Sequence, residues 1–218
     1  MRTILAVALF AGAARADDAP GWPQYGGPSR DFARPAVAQG VEGRAAGGGV
    51  WERELGPGAS GVVCDGELLV TMYSVPDPKK SSEGDEVVVG LDRATGKTLW
   101  ERRDPVARLT GQQSYSGDPI RPQATPAISG SRVCTLGYTG LLSGFDSATG
   151  KLAWRHDLVK DFAATPVQFG FAASPLAAGG LFVVHVGGGR RPSSPSTLRS
   201  ARPSGSRSRR SRATRRPC

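Results

Sequence analysis

The sequence predicts an all-β chain built from tandem four-stranded units. Three observations carry this prediction. The stretch VVVGLDRATGKTLWERR (87–103) returns as LLSGFDSATGKLAWRHD (141–157), displaced by 54 residues. Three further stretches, at 60–74, 124–138 and 173–187, each read as an apolar run, a glycine turn and a second apolar run. A tryptophan closes each unit: Trp51 precedes Trp100 by 49 residues, and Trp154 follows it by 54. Self-similarity at a period of roughly 40 to 50 residues marks a repeat architecture, blades of a β-propeller among them.

The elements follow in chain order. Residues 1–16 read as a secretory signal: Arg2, an apolar run from Ile4 to about Ala14, and a small-x-small cleavage pattern at Ala14-Arg15-Ala16. The apolar run falls short of the roughly 20 residues that span a bilayer. No later segment is apolar enough to cross one, so no transmembrane segment is expected. The expectation is export, to the periplasm or the extracellular space. No cysteine stands at the cleavage point to take a lipid.

Residues 17–59 form an N-terminal segment with a strand near Trp51, read as the last strand of a blade whose earlier strands are not in the sequence. Residues 60–189 form the repeats. The first unit runs from about 60 to 102 and the second from about 124 to 157; the third begins at about 173 with two strands. Within a unit, the β-branched run 87–89 makes a strand. Asp92 opens a turn by accepting backbone N–H groups. Gly96 suits a positive-φ position in a hairpin loop closed by a bulge, and Trp100 supplies large apolar area on the strand that follows. Asp146, Gly150 and Trp154 repeat this arrangement. Together with Thr95 and Thr149, these residues form the structural repeat motif. Gly66, Gly130 and Gly179 mark the other turns.

The motif A-x-D-x-x-T-G-K-x-x-W resembles the repeat of quinoprotein-like β-propellers, with Gly90 and Gly144 at the usual alanine. The opening GWPQYGGPSRDF (21–32) is similar to the start of secreted members. The resemblance covers about 21–189 and implies an incomplete β-propeller of about two and a half four-stranded blades. The family holds pyrroloquinoline-quinone alcohol dehydrogenases and the non-enzymatic propeller subunit of the outer-membrane β-barrel assembly machinery. It thus implies either a binding scaffold with an envelope or extracellular protein partner, or a piece of a quinoprotein dehydrogenase. Only the second would use pyrroloquinoline quinone with calcium, and that subfamily's vicinal cysteine pair is not in this sequence. Propellers close with about four to eight blades. Two and a half leave open edges, which template aggregation or self-association.

Residues 190–218 leave the pattern. These 29 residues hold ten of the 28 basic side chains, no acid, eight serines, four prolines and one leucine. Such a segment buries almost nothing and is expected to be a disordered basic tail. It reads as a shifted reading frame or faulty gene end, or alternatively as a natural tail. The chain's +9 charge comes from it: residues 1–189 carry 18 basic and 19 acidic side chains, a net −1. A folded nucleic-acid face needs clustered basic residues, and the body offers none, so no nucleic-acid partner is expected.

Catalytic chemistry finds little purchase. GLDRATGKT (90–98) misses a phosphate-binding loop because five residues, not four, separate Gly90 from Gly96. Its second copy ends in Leu152, which has no hydroxyl for magnesium. No CxxC, HExxH or GxSxG pattern occurs. Cys64 and Cys134 read as buried free thiols, with a disulfide as the alternative in an oxidising compartment. His156 reads as an exposed strand-end side chain and His185 as half-buried and hydrogen-bonded. Asp118 and Asp161 are scattered carboxylates. The long connector 104–123 offers Gln112, Gln113, Tyr115 and Arg121 for a propeller mouth, against a solvated inter-blade loop. Residues 167–175 are expected near the axis. No catalytic, cofactor-binding or metal site is assigned.

Overall fold

The computed structural model describes residues 3–7, 21–32, 51–80, 82–107, 121–166 and 169–186. The expected cleavage site at 14–16 and the basic tail lie outside these residues, as do Gln112, Gln113, Tyr115 and Asp118. The elements are β1 (Thr3–Val7), β2 (Trp51–Leu55), β3 (Val63–Asp65), β4 (Leu68–Pro76), β5 (Glu83–Asp92), β6 (Thr98–Ala107), β7 (Ala127–Ser129), β8 (Arg132–Leu136), β9 (Leu141–Asp146), β10 (Leu152–Asp157), α1 (Leu158–Phe162), β11 (Leu176–Ala178) and β12 (Leu181–Val183).

Two antiparallel four-stranded sheets, β3-β4-β5-β6 and β7-β8-β9-β10, run in sequence order. β11 and β12 form the first hairpin of a third, and β2 pairs with β1. These sheets are blades of an incomplete β-propeller. Each four-stranded sheet carries a register shift where its last two strands meet: between Gly90 and Leu91 in the first, between Leu152 and Trp154 in the second. At each bulge the extra residue, Leu99 in the first sheet and Ala153 in the second, is exposed, and the tryptophan that follows it is buried or half-buried.

The core lies between blades rather than inside one. β5 shows why. Val87, Val89 and Leu91 pack with Leu69 and Tyr73 against Trp51 and Leu55. Val88, from the opposite face, joins Val63, Met72, Trp100, Ile128 and Phe145 in the next layer. A strand covered on both faces needs a continuous apolar run rather than alternation, and VVVGL supplies one. A third layer, with Cys134, Leu136, Leu158, Phe171 and Phe182, joins the second blade to β11 and β12.

Three features differ from the sequence expectation. Residues 104–107 belong to β6, so the connector is shorter than expected. Strand β10 ends in a short helix whose N-cap, Asp157, accepts from Val159 N and Lys160 N. His185 lies beyond β12, which stops at Val183, and is exposed. The outer strands β6 and β10 are rich in charge (Glu101, Arg102, Arg103, Asp104; Arg155, His156, Asp157), which blunts an exposed edge against pairing.

Candidate functional site

Two constellations hold the blades together, one at the rim and one at the axis. At the rim, the repeat motif forms a clasp. Asp92 Oδ1 accepts from Thr95 N at 2.7 Å and from Thr95 Oγ1 at 2.6 Å. Asp146 repeats this with Thr149 at 3.1 and 2.9 Å. The threonine hydroxyls are the first cause of the lowered pKa of both exposed carboxylates. These bonds set Gly96 and Gly150 at φ 69° and 64°, where a side chain is disfavoured.

Each glycine then receives a tryptophan from the preceding unit. A Cβ on Gly96 would lie 2.5 Å from the Trp51 ring, and one on Gly150 would lie 2.5 Å from Trp100. Trp51 Nε1 donates to Arg93 O at 2.9 Å and Trp100 Nε1 to Ser147 O at 2.8 Å. Two residues on, Arg53 donates to Gly96 O, and Arg102 to Gly150 O and Thr149 O. On its other face Trp100 lies against Gly90, and Trp154 lies against Gly144 in the same register. A Cβ at Gly90 or Gly144 would fall in the space that the indole takes. His156 stands where Arg53 and Arg102 stand in the earlier copies. Its ring lies between Trp154 and Phe162, with Nδ1 3.6 Å from Asp161.

The clasp carries a direct test. Gly130 also has positive φ, 54°, but open space around its missing Cβ. Gly130→Ala is expected to cost only the left-handed strain, about 1–2 kcal/mol. Gly150→Ala adds a clash with Trp100, and its unfolding midpoint in urea should fall well below that of Gly130→Ala.

At the axis, contacts recur at equivalent repeat positions. Gly61, Thr125 and Ser174 each precede a turn glycine by five residues. Gly61 N donates to Thr125 Oγ1 at 3.1 Å, and Thr125 N to Ser174 Oγ at 3.0 Å. Cys64, Ile128 and Ala177 each precede a turn glycine by two. Their N–H groups all point to one short segment: Cys64 N donates to Trp22 O at 2.9 Å, Ile128 N to Pro23 O at 2.7 Å, and Ala177 N to Gln24 Oε1 at 2.9 Å. Arg30 Nη2 closes the set on Ala177 O at 2.9 Å. Residues 21–32 thus cross the inner strands of all three blades in order. A cavity of about 800 Å³ opens beside them, lined by Trp22, Tyr25, Phe32, Gln123, Thr125 and Ser174 among others. Ala172–Ser174 reach this cavity from the 167–175 stretch; Arg121 does not line it.

Between rim and axis a polar seam joins the first two blades. Glu86, 5% exposed, accepts from Tyr138 N at 2.9 Å. Burial, and secondarily Asp104, push its carboxyl up to about 7. Asp104 itself takes a bidentate pair from Arg155, both contacts 2.7 Å. Cys64 and Cys134 are free thiols, and burial raises the pKa of each. Among the described residues, no group of three His, Cys, Asp or Glu side chains could hold a metal. No helix there is long and apolar enough to cross a membrane.

The sequence reading missed Arg53 and Arg102, the hydroxyl rungs, Gln24 and Glu86. The first two had signals: WER occurs at both 51–53 and 100–102, and ATP (124–126) returns as ASP (173–175). Gln24 and Glu86 had none, since their partners lie 153 and 52 residues away.

Comparison with known proteins bears on this repeat. The family model described as "Outer membrane protein assembly factor BamB" matches residues 84–191. Over those residues the chain is similar to the PQQ-like β-propeller family. Two solved structures are similar. BamB from Moraxella catarrhalis aligns at 14% identity and a TM-score of 0.31, over 58% of this chain and 40% of its own. Quinohemoprotein alcohol dehydrogenase ADHIIG from Pseudomonas putida HK5 aligns at 17% identity and a TM-score of 0.46, over 79% of this chain and 24% of its own. The chain therefore spans less than half the length of either. No curated protein matches it.

Proposed function

We propose that this PQQ-like propeller chain is an exported, non-enzymatic binding scaffold of the cell envelope, with a protein partner. The observation that carries the reading is the use made of the axial polar groups. Thr125, Ser174, Gln24 and Gln123 are spent on holding blades and the 21–32 segment in place, so they converge on structure and not on a reacting centre. The family description, an outer-membrane assembly factor, supports the same direction. Fold alone does not imply activity. The competing reading, a piece of a quinoprotein dehydrogenase, takes its support from the resemblance of the repeat.

One titration separates the two. Purified chain is mixed with pyrroloquinoline quinone and calcium, and reduction of an artificial dye is followed with short alcohols as substrates. No quinone-dependent turnover is expected above the protein-free control. Saturable turnover that rises with quinone would overturn the scaffold reading in favour of the dehydrogenase.

A further inference from the structure

We propose that the axial groove is a peptide-recognition site that the chain's own residues 21–32 occupy in cis, and that the partner it fits is an extended segment presenting two consecutive main-chain carbonyls, the second of which a proline can supply, and then a side-chain carboxamide. The proposal rests on the scaffold reading only in taking the partner to be a protein.

The contacts define what the groove reads. Three N–H donors, at Cys64, Ile128 and Ala177, come from the same repeat position of three successive blades. They meet two consecutive main-chain carbonyls, of Trp22 and Pro23, and then the Gln24 side chain. Trp22 and Cys64 form an antiparallel bridge. This is strand addition to an exposed edge, in which main-chain bonds hold the peptide and alternate side chains select it, with the edge supplied by three sheets in turn. Proline suits the middle position, because the contact there uses only its carbonyl. Gln24 is 4% exposed, so its amide is read in a water-free setting, where loss of the acceptor strands the Ala177 N–H.

The second half of the segment is built differently. Arg30 and Phe32 have φ of 63° and 59°, a left-handed conformation uncommon for residues other than glycine. Tyr25 and Phe32 stack edge to face at 5.1 Å yet are 58% and 63% exposed. Strain held beside a cleft is a feature of ligand clamps. The returning half therefore gains little burial against the strain that it carries, while the first half is firmly seated. Eighteen residues, 33–50, join Phe32 to Trp51. At up to about 3.5 Å per residue that length lets the segment leave the groove without moving β2.

The test uses the full chain and a synthetic octapeptide of residues 21–28, GWPQYGGP, which contains no trypsin site. Limited trypsin digestion reports cleavage after Arg30, whose guanidinium is engaged on Ala177 O while the segment is seated. Saturating octapeptide is expected to raise the cleavage rate at Arg30 at least tenfold. The dependence should saturate, and an octapeptide with alanine in place of the tryptophan and the glutamine should have no effect. In parallel, fluorescently labelled octapeptide should bind full-length Gln24→Ala at least tenfold more tightly than wild type, because the competitor in cis is weakened. No acceleration by the octapeptide, or equal acceleration by a scrambled one, overturns the proposal. If Gln24→Ala does not fold, the wild-type digestion decides alone. Neither readout depends on export or on quinone turnover, so failure here leaves the scaffold reading standing, and the reverse holds.

Discussion

Trp100→Ala is expected to lower the stability of the chain by about 3–5 kcal/mol, the range for truncating a buried aromatic side chain. The indole is 5% exposed and lies between Gly90 of its own blade and Gly150 of the next. It also stacks on Phe145 at 6.4 Å and donates to Ser147 O. Both flanking positions are glycine, so neither carries a side chain that can move into the space the ring leaves. The truncation therefore opens a cavity at the layer joining the two complete blades. It also removes one of the contacts that hold Gly150 in place, leaving Arg102 as the link from blade one to the turn. Against a total stability of about 5–15 kcal/mol for an ordinary domain, the loss is large. Trp154→Ala is the internal comparison, because that ring lies in the same register against Gly144 but is only half-buried, and its loss should be clearly smaller. Urea unfolding of both variants, followed by circular dichroism, checks this. A Trp100→Ala chain within about 1 kcal/mol of wild type, below the usual large-to-small range, would show that the blades are not joined through the indole.

The same residues explain why the repeat was legible before the structure. Tryptophan, the aspartate–threonine turn and the turn glycine are rare in combination, and they recur because they meet one another across each blade boundary. One unit's Trp100 needs the next unit's Gly150, so a single contact leaves two marks in the sequence, 50 residues apart. Strand order and the bulge beside each tryptophan follow from the same spacing. The axial segment has no such signature. Trp22 and Pro23 touch two blades through main-chain carbonyls, which leave no trace in residue identity, and Gln24 reaches the third from far away in the chain. Helix α1 is a single turn whose only strong local mark is the Asp157 cap. His185 sits in an apolar run and reads as half-buried, but β12 ends two residues earlier and the residue is exposed. Glu86 adjoins the triple valine and carries no local mark of its own; it is buried because the 137–140 turn of the second blade closes over it, and sequence-local reasoning does not see that turn.

Glu86 therefore provides the second large expectation, a fall in stability as pH rises. Its carboxyl ionises near 7 in the folded chain, against an ordinary value of 4.5. Below about 4.5 the group is protonated in both states and costs nothing. Between about 4.5 and 7 the folded chain holds a proton that the unfolded chain has released, so stability falls with each step in pH. Above about 7 both states are ionised and the loss is complete. It amounts to roughly 3 kcal/mol, because each tenfold difference in proton affinity between the two states is worth about 1.4 kcal/mol. Of the groups facing Glu86, the Tyr138 N–H opposes the shift with one hydrogen bond, which does not offset the desolvation, and Asp104 adds to the shift by repelling the charge. Glu86→Gln keeps an oxygen for Tyr138 N and removes the charge, so the variant should gain on wild type progressively from pH 5 to 8. The exposed Asp92 and Asp146, whose lowered values make them lose stability only as pH falls through the acid range, contribute equally to both chains and cancel in the difference. Urea midpoints of the two proteins at pH 5, 6, 7 and 8 supply the measurement. Parallel curves would mean that Glu86 keeps an ordinary carboxyl and that the seam at Tyr138 is open to water; curves that diverge with rising pH would place a buried, uncompensated charge at the joint between the two complete blades.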